Sequence, residues 1–134
     1  MNLIANRRKI LVVDDEIVVA DTLVLVFSTS GYECRKANSA EEAIDLIAEW
    51  RPEVAIIDVI LPRLNGIELS RILAASIPDC RVVLISGYPG AMELLPQVKA
   101  PAKAPQILAK PLHPSLMLET VSKLLPCKET AFDP

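Results

Sequence analysis

The sequence predicts an α/β domain built on a doubly wound parallel sheet. Three observations lead there. Short β-branched runs alternate with longer helical patterns, those runs are almost uninterruptedly apolar, and four of them end in acidic, hydroxyl or lysine residues. Alternation at this spacing joins parallel strands through right-handed crossovers. Apolar strands require helices on both faces of the sheet. Ligands of such sheets bind outside the carboxyl ends of the strands.

Residues 9–13 (KILVV) form the first strand, stopped by Asp14-Asp15-Glu16. A helix follows over 17–30, closed by Gly31, which takes the left-handed conformation a helix C-terminus favours. The second strand covers 32–37. Ser39 opens a helix reaching Trp50, and Ser39 with Glu42 has the spacing of a capping box. The third strand, 53–57, runs into Asp58; the third helix covers 65–77; the fourth strand, 81–85, runs into Ser86-Gly87. A short fifth strand, 106–109, ends at Lys110-Pro111, and the last helix spans 114–125 with Pro114 in its first turn. One segment breaks the rhythm. A fourth helix belongs between 87 and 106, but Pro96, Pro101 and Pro105 confine it to about two turns over 91–95. The expected organisation is a polar arm over 1–8, one domain over 9–125 and a tail over 126–134.

A chain of 134 residues fits one domain. Hydrophobic residues make up 51% of it and aromatics 4%, so aliphatic side chains must build the core. A net charge of -3 argues against a nucleic-acid surface, which needs a concentrated basic patch. No apolar run approaches the ~20 residues that span a bilayer, and the arm lacks the apolar centre of a secretory leader. Cys34, Cys80 and Cys127 have neither metal-ligand spacing nor a paired framework, so they read as reduced thiols of a cytoplasmic protein. His113 reads as a cap or a solvated side chain, and Trp50 as packing.

The chemistry lies in the residues that follow the strands. Asp14 and Asp15, Asp58, Ser86 and Lys110 come from four distant segments, and a parallel sheet points all their strand ends the same way. Three carboxylates converging there repel one another unless a cation neutralises them. Hard oxygen ligands favour Mg²⁺, which keeps waters and accepts a phosphate oxygen. A lysine ammonium and a serine hydroxyl supply a charge and a donor for the remaining phosphoryl oxygens. Such a set is a template for in-line phosphoryl transfer, in which positioning and charge neutralisation carry the reaction.

Asp14-Asp15 after an apolar strand, Asp58 followed by Pro62 and Gly66, Ser86-Gly87, and Lys110-Pro111 together resemble the response-regulator receiver domain, over residues 9–125. Each motif alone is weak; all of them in order, at the ends of the right strands, are specific. The resemblance implies a flavodoxin-like five-stranded sheet of order 2-1-3-4-5. It implies Asp58 as phosphoacceptor, Mg²⁺ held by Asp15, Asp58 and the backbone carbonyl of Ile60, and Asp14 acting through water. Ser86 becomes the switch hydroxyl, Lys110 the partner of the phosphoryl group, and the bond before Pro111 cis. Ile60 and Tyr88 flank the path of a hydrolysing water. The implied partner is a sensor histidine kinase or a histidine phosphotransfer protein, docked on the first helix. That helix carries Ile17, Val18, Val24 and Leu25 beyond its core face of Val19, Leu23, Val26 and Phe27.

The expected function is therefore a phosphorylated signalling module working without its own output domain, through an unknown output partner, and turning over no separate substrate. The sequence departs from the family at Ile107, where an aromatic residue often serves as a lever, and in the proline-broken segment. Both departures favour an alternative, an adaptor of the same fold that signals without phosphorylation. A haloacid-dehalogenase-like phosphatase needs a second aspartate two residues after the nucleophile, where Ile60 stands. A nucleotide-binding relative needs a glycine- or hydroxyl-rich first loop, where this chain has Asp14-Asp15-Glu16.

Overall fold

The computed structural model describes residues 7–87 and 106–125. Five strands lie parallel in a single sheet of order β2-β1-β3-β4-β5: β1 (Lys9–Val13), β2 (Glu33–Ala37), β3 (Val54–Asp58), β4 (Arg81–Ser86) and β5 (Gln106–Ala109). The described helices are α1 (Ile17–Thr29), α2 (Ala40–Ile47), α3 (Gly66–Ser76) and α4 (Pro114–Leu124). The expected fold and strand order are both present. The shortened helix expected between β4 and β5 falls on 88–105, outside the described residues, as does the tail over 126–134.

Alternation along the strands divides the core into two layers. Leu11, Val13, Ala55, Ile57 and Leu84 face α2 and α3, joining Ala43, Ile47, Leu69 and Leu73. Ile10, Val12, Val54, Ile56, Val83 and Ile85 face the other way, against Ala20, Leu23 and Phe27 of α1 and Met117 and Val121 of α4. Phe27 is fully buried and meets Tyr32 edge-on, ring centroids 5.7 Å apart. Truncating it to alanine has a cost of ~3–5 kcal/mol. Trp50 is buried too; its indole N–H donates to Glu33 Oε2 at 2.9 Å and the Arg35 guanidinium lies 4.9 Å from its ring centre, so it packs.

The caps refine the expectations. Gly31 closes α1 with φ +99°, a conformation that costs a side-chain-bearing residue energy. Only half of the expected capping box forms at α2. Ser39 Oγ accepts from the Glu42 N–H at 3.0 Å, but Glu42 Oε1 accepts from the Asn38 N–H, one residue too early. A complete box stands instead at α3. Asn65 Oδ1 accepts from the Glu68 N–H at 2.9 Å and Glu68 Oε1 accepts from the Asn65 N–H at 3.0 Å. His113 caps α4, its Nδ1 accepting from the Ser115 N–H at 3.3 Å.

Candidate functional site

Because every strand runs the same way, the residues at their carboxyl ends share one edge of the sheet. Asp58 is the last residue of β3 and pairs in register with Ile85, beside Ser86 at the end of β4. The Val59 N–H donates to the Ile85 carbonyl at 2.9 Å, and the Lys110 N–H donates to the Ser86 carbonyl at 2.9 Å. Backbone bonds thus lock the ends of β3, β4 and β5 together. Asp14 follows β1, its N–H donating to the Ala37 carbonyl at 3.1 Å.

The side chains converge as that frame requires. Asp14 is 0% exposed, and Asp58 and Ser86 are buried. Lys110 Nζ lies 2.9 Å from Asp58 Oδ2, 3.0 Å from Asp14 Oδ2 and 2.8 Å from Glu16 Oε1. Carboxylate oxygens of Asp14, Glu16 and Asp58 come within 4.8 Å of one another. At that separation the buried Asp14–Asp58 pair repels by ~3 kcal/mol. Burial, followed by the neighbouring Asp14 charge, pushes the Asp58 carboxyl up to about 6, although hydrogen bonds from Lys110 and the Ile60 N–H pull it back. Burial also disfavours the Lys110 ammonium. Its contacts with the Glu16, Asp58 and Asp14 carboxylates outweigh that effect, and its pKa rises above the ordinary lysine value.

Asp14 Oδ1 accepts from the Glu16 N–H at 2.9 Å, which turns the chain into α1. Asp14 Oδ2 is fully buried and, despite the nearby ammonium, has no directed hydrogen bond. Asp58 Oδ1 accepts from the Ile60 N–H at 3.1 Å, while the Ile60 side chain stays 54% exposed at the rim. Gly66 begins α3 against the backbone of Asp58. A Cβ there would stand 2.1 Å from the Asp58 carbonyl oxygen, so only glycine permits the approach. The Lys110–Pro111 bond is cis.

Four of the expected side chains, Asp14, Asp58, Ser86 and Lys110, therefore gather at one edge. Asp15 does not join them: it is exposed, and the third carboxylate of the cluster belongs to Glu16. Sequence reasoning gave Glu16 no role. Its place directly after two aspartates was the available signal. Tyr88 lies outside the described residues. Cys34 and Cys80 are unsuited to thiolate chemistry, since burial pushes each up to about 12.

The family described as response regulator receiver domain matches residues 10–122, most of the chain. The chain belongs to that family. Response regulator MprA of Mycolicibacterium vanbaalenii is 33% identical over 117 residues, covering 87% of this chain and 50% of the relative. MprA of Mycobacterium avium is 32% identical over the same length. The chain thus spans about half the length of these curated relatives. Among solved structures, a CheY-like receiver domain protein from Methanospirillum hungatei superposes with a TM-score of 0.77 at 26% identity, covering 88% of this chain and 94% of that one. The receiver domain of NtrX from Brucella abortus gives 0.76 at 28%, covering 87% and 97%.

Receiver domains of two-component response regulators bind Mg²⁺ in an acidic pocket, and the residues here suit that ion. The donors are hard carboxylate oxygens, and one buried oxygen, Asp14 Oδ2, lacks a directed hydrogen bond. Among the described residues a single ammonium faces three carboxylates, which leaves an excess of negative charge for a divalent cation. No described helix is long and apolar enough to cross a membrane.

Proposed function

We propose that this chain is a phosphoacceptor of two-component signalling, phosphorylated on Asp58 by a histidine phosphodonor. The observation that supports it best is the buried Asp14–Asp58 pair with the Lys110 ammonium against both. An Asp58 carboxylate oxygen attacks phosphorus while the donor's P–N bond breaks and its electron pair returns to the imidazole nitrogen. An acyl phosphate forms on Asp58. With a pKa of about 6, Asp58 is mostly ionised at neutral pH and ready to attack. Lys110 meets one phosphoryl oxygen as a point charge, and the Ser86 hydroxyl donates to another. When bound, Mg²⁺ neutralises carboxylate charge and polarises the phosphoryl group. Asp14, Asp15, Asp58 and the Ile60 carbonyl would hold it, with Asp15 turned inward from its exposed position.

The donor, a sensor kinase or phosphotransfer protein in the cytoplasm, docks on α1. Ile17, Val18 and Leu25 of that helix are 61%, 76% and 63% exposed. A groove of about 470 Å³ runs beside Val18, lined also by Glu16, Val19, Leu23, Lys110, Pro111 and Pro114. Exposed apolar side chains next to a groove are what a partner helix covers. At the rim, the exposed Ile60 side chain keeps a hydrolysing water out of line, so the phosphorylated state is long-lived.

Acetyl phosphate with Mg²⁺ is expected to add one phosphoryl group to the full chain. The addition disappears in Asp58→Asn or with chelator and falls sharply in Asp15→Asn. Undiminished labelling of Asp58→Asn refutes the assignment. A phosphorylation-independent adaptor is favoured by one observation, the aliphatic half-buried Ile107 on β5. It gains the lead if the wild type takes no label.

A further inference from the structure

Glu16 has no part in the chemistry just described, yet it is tied to its centre. The Lys110 ammonium has three protons and three carboxylate contacts: Glu16 at 2.8 Å, Asp58 at 2.9 Å and Asp14 at 3.0 Å. A phosphoryl oxygen that approaches this ammonium competes with all three for it. The three are not equally displaceable. The Asp14 and Asp58 side chains are 0% and 7% exposed, and stripping the ammonium from either strands a buried charge. The Glu16 side chain is 62% exposed, so water replaces what it loses.

Glu16 is also free of competing local duty. It is the N-cap residue of α1, but its side chain makes no capping bond to that helix. Its carboxylate reaches instead across 94 residues of sequence to Lys110. Both residues line the groove beside α1, the face on which the proposed donor docks.

We propose that Glu16 is a positioning residue for Lys110, holding the ammonium at the rim of the acidic pocket and competing for it with an incoming phosphoryl group. This rests on the phosphoacceptor function above. Before transfer, Glu16 keeps Lys110 poised and adds negative charge at the mouth. During transfer, as the bond from Asp58 to phosphorus forms and the donor's bond to phosphorus breaks, Glu16 gives up the ammonium to the phosphoryl oxygen. The hydrogen bond to Glu16 leads the influences that raise the Lys110 pKa, in keeping with that hold.

The test uses the full chain as wild type, Glu16→Gln and Asp21→Asn. The last removes a carboxylate of the same helix that pairs with Lys36 and not with Lys110. With acetyl phosphate as donor and acetate leaving with its electron pair, Glu16→Gln is expected to lower the donor concentration for half-maximal rate by about three- to tenfold, with the maximal rate little changed, because one repulsive charge and one competitor are gone. Calorimetric titration with Mg²⁺ alone is expected to show affinity reduced less than about threefold, the effect of one exposed charge at a distance. Asp21→Asn moves neither quantity. An unchanged or higher half-maximal concentration overturns the proposal. So does a loss of Mg²⁺ affinity of about tenfold or more, which makes Glu16 a metal ligand. A third readout needs no phosphorylation: the Lys110 Nζ nitrogen resonance of the donor-free chain shifts in Glu16→Gln and not in Asp21→Asn. An unmoved resonance overturns the proposal even if Asp58 is labelled. An unlabelled wild type with a shifted resonance removes the phosphoacceptor function but leaves the Glu16 hold on Lys110 standing.

Discussion

Replacing Asp58 by asparagine is expected to stabilise the metal-free protein while destroying its proposed chemistry. Burial and the Asp14 charge raise the Asp58 pKa from 3.8 to about 6. A folded-state pKa above the unfolded one means that the native state binds the proton more tightly. Ionising Asp58 therefore costs the native state stability as pH rises through that window. At ~1.4 kcal/mol per pH unit, a rise of this size gives a penalty of about 3 kcal/mol at neutral pH. The side chain is 7% exposed, so solvent screens little of it. Asparagine is nearly the size of a protonated aspartate, and its Oδ1 can still accept the Ile60 N–H. The variant should gain about 2–3 kcal/mol at pH 7, moving the urea midpoint up by ~1 M.

The gain depends on pH in one direction only. Below about pH 4 both states of the wild type carry a neutral Asp58, and the advantage of Asp58→Asn vanishes. Between about pH 4 and 6 it grows, and above that it is constant. Carboxylates remote from Asp58 titrate alike in both proteins and cancel in the difference. The assay is urea unfolding of wild type and Asp58→Asn across this range with chelator present. Added Mg²⁺ should shrink the gap, because an ion bound to the native state stabilises the wild type more. A variant less stable at pH 7 in chelator, or an advantage that ignores pH, refutes the account of a strained acidic pocket.

Three further outcomes are expected. Ile60→Asn should speed loss of the phosphoryl group about tenfold, or ~1.4 kcal/mol in barrier, by giving the attacking water a polar guide; equal first-order rates of phosphate release contradict the shielding role. Ser86→Ala should still accept phosphate but lose most of the conformational response, read as amide exchange across residues 87–106 with and without beryllofluoride; an undiminished response denies Ser86 the switch role. Gly66→Ala should cost about 2–3 kcal/mol in urea unfolding, since the new Cβ meets the Asp58 backbone at 2.1 Å and neither side can yield cheaply; a loss below about 0.5 kcal/mol shows that α3 slides freely.

The sequence by itself determined the fold class and where its site had to be. Apolar strands set between helices demand a parallel sheet covered on both faces, and a parallel sheet puts the residues after its strands along one edge. That logic needs only local pattern, so it located Asp14, Asp58, Ser86 and Lys110 correctly at the shared strand ends. Helix ends were legible to within a residue or two where the capping residue acts on its own chain, as Gly31 and Ser39 do. Long-range side-chain partnership was not. Asp15 and Glu16 are adjacent acidic residues of similar reach, and nothing local says which will turn inward. The choice fell to the Asp14 side chain, whose bond to the Glu16 N–H sets the turn, and to Lys110, which meets Glu16 from 94 residues away. The demand on Gly66 is of the same kind, because the atom that forbids a side chain there is the Asp58 carbonyl oxygen brought close by tertiary packing. Backbone periodicity fixes which edge a residue reaches; which charge meets which is decided only when the ends of separate strands are bonded together.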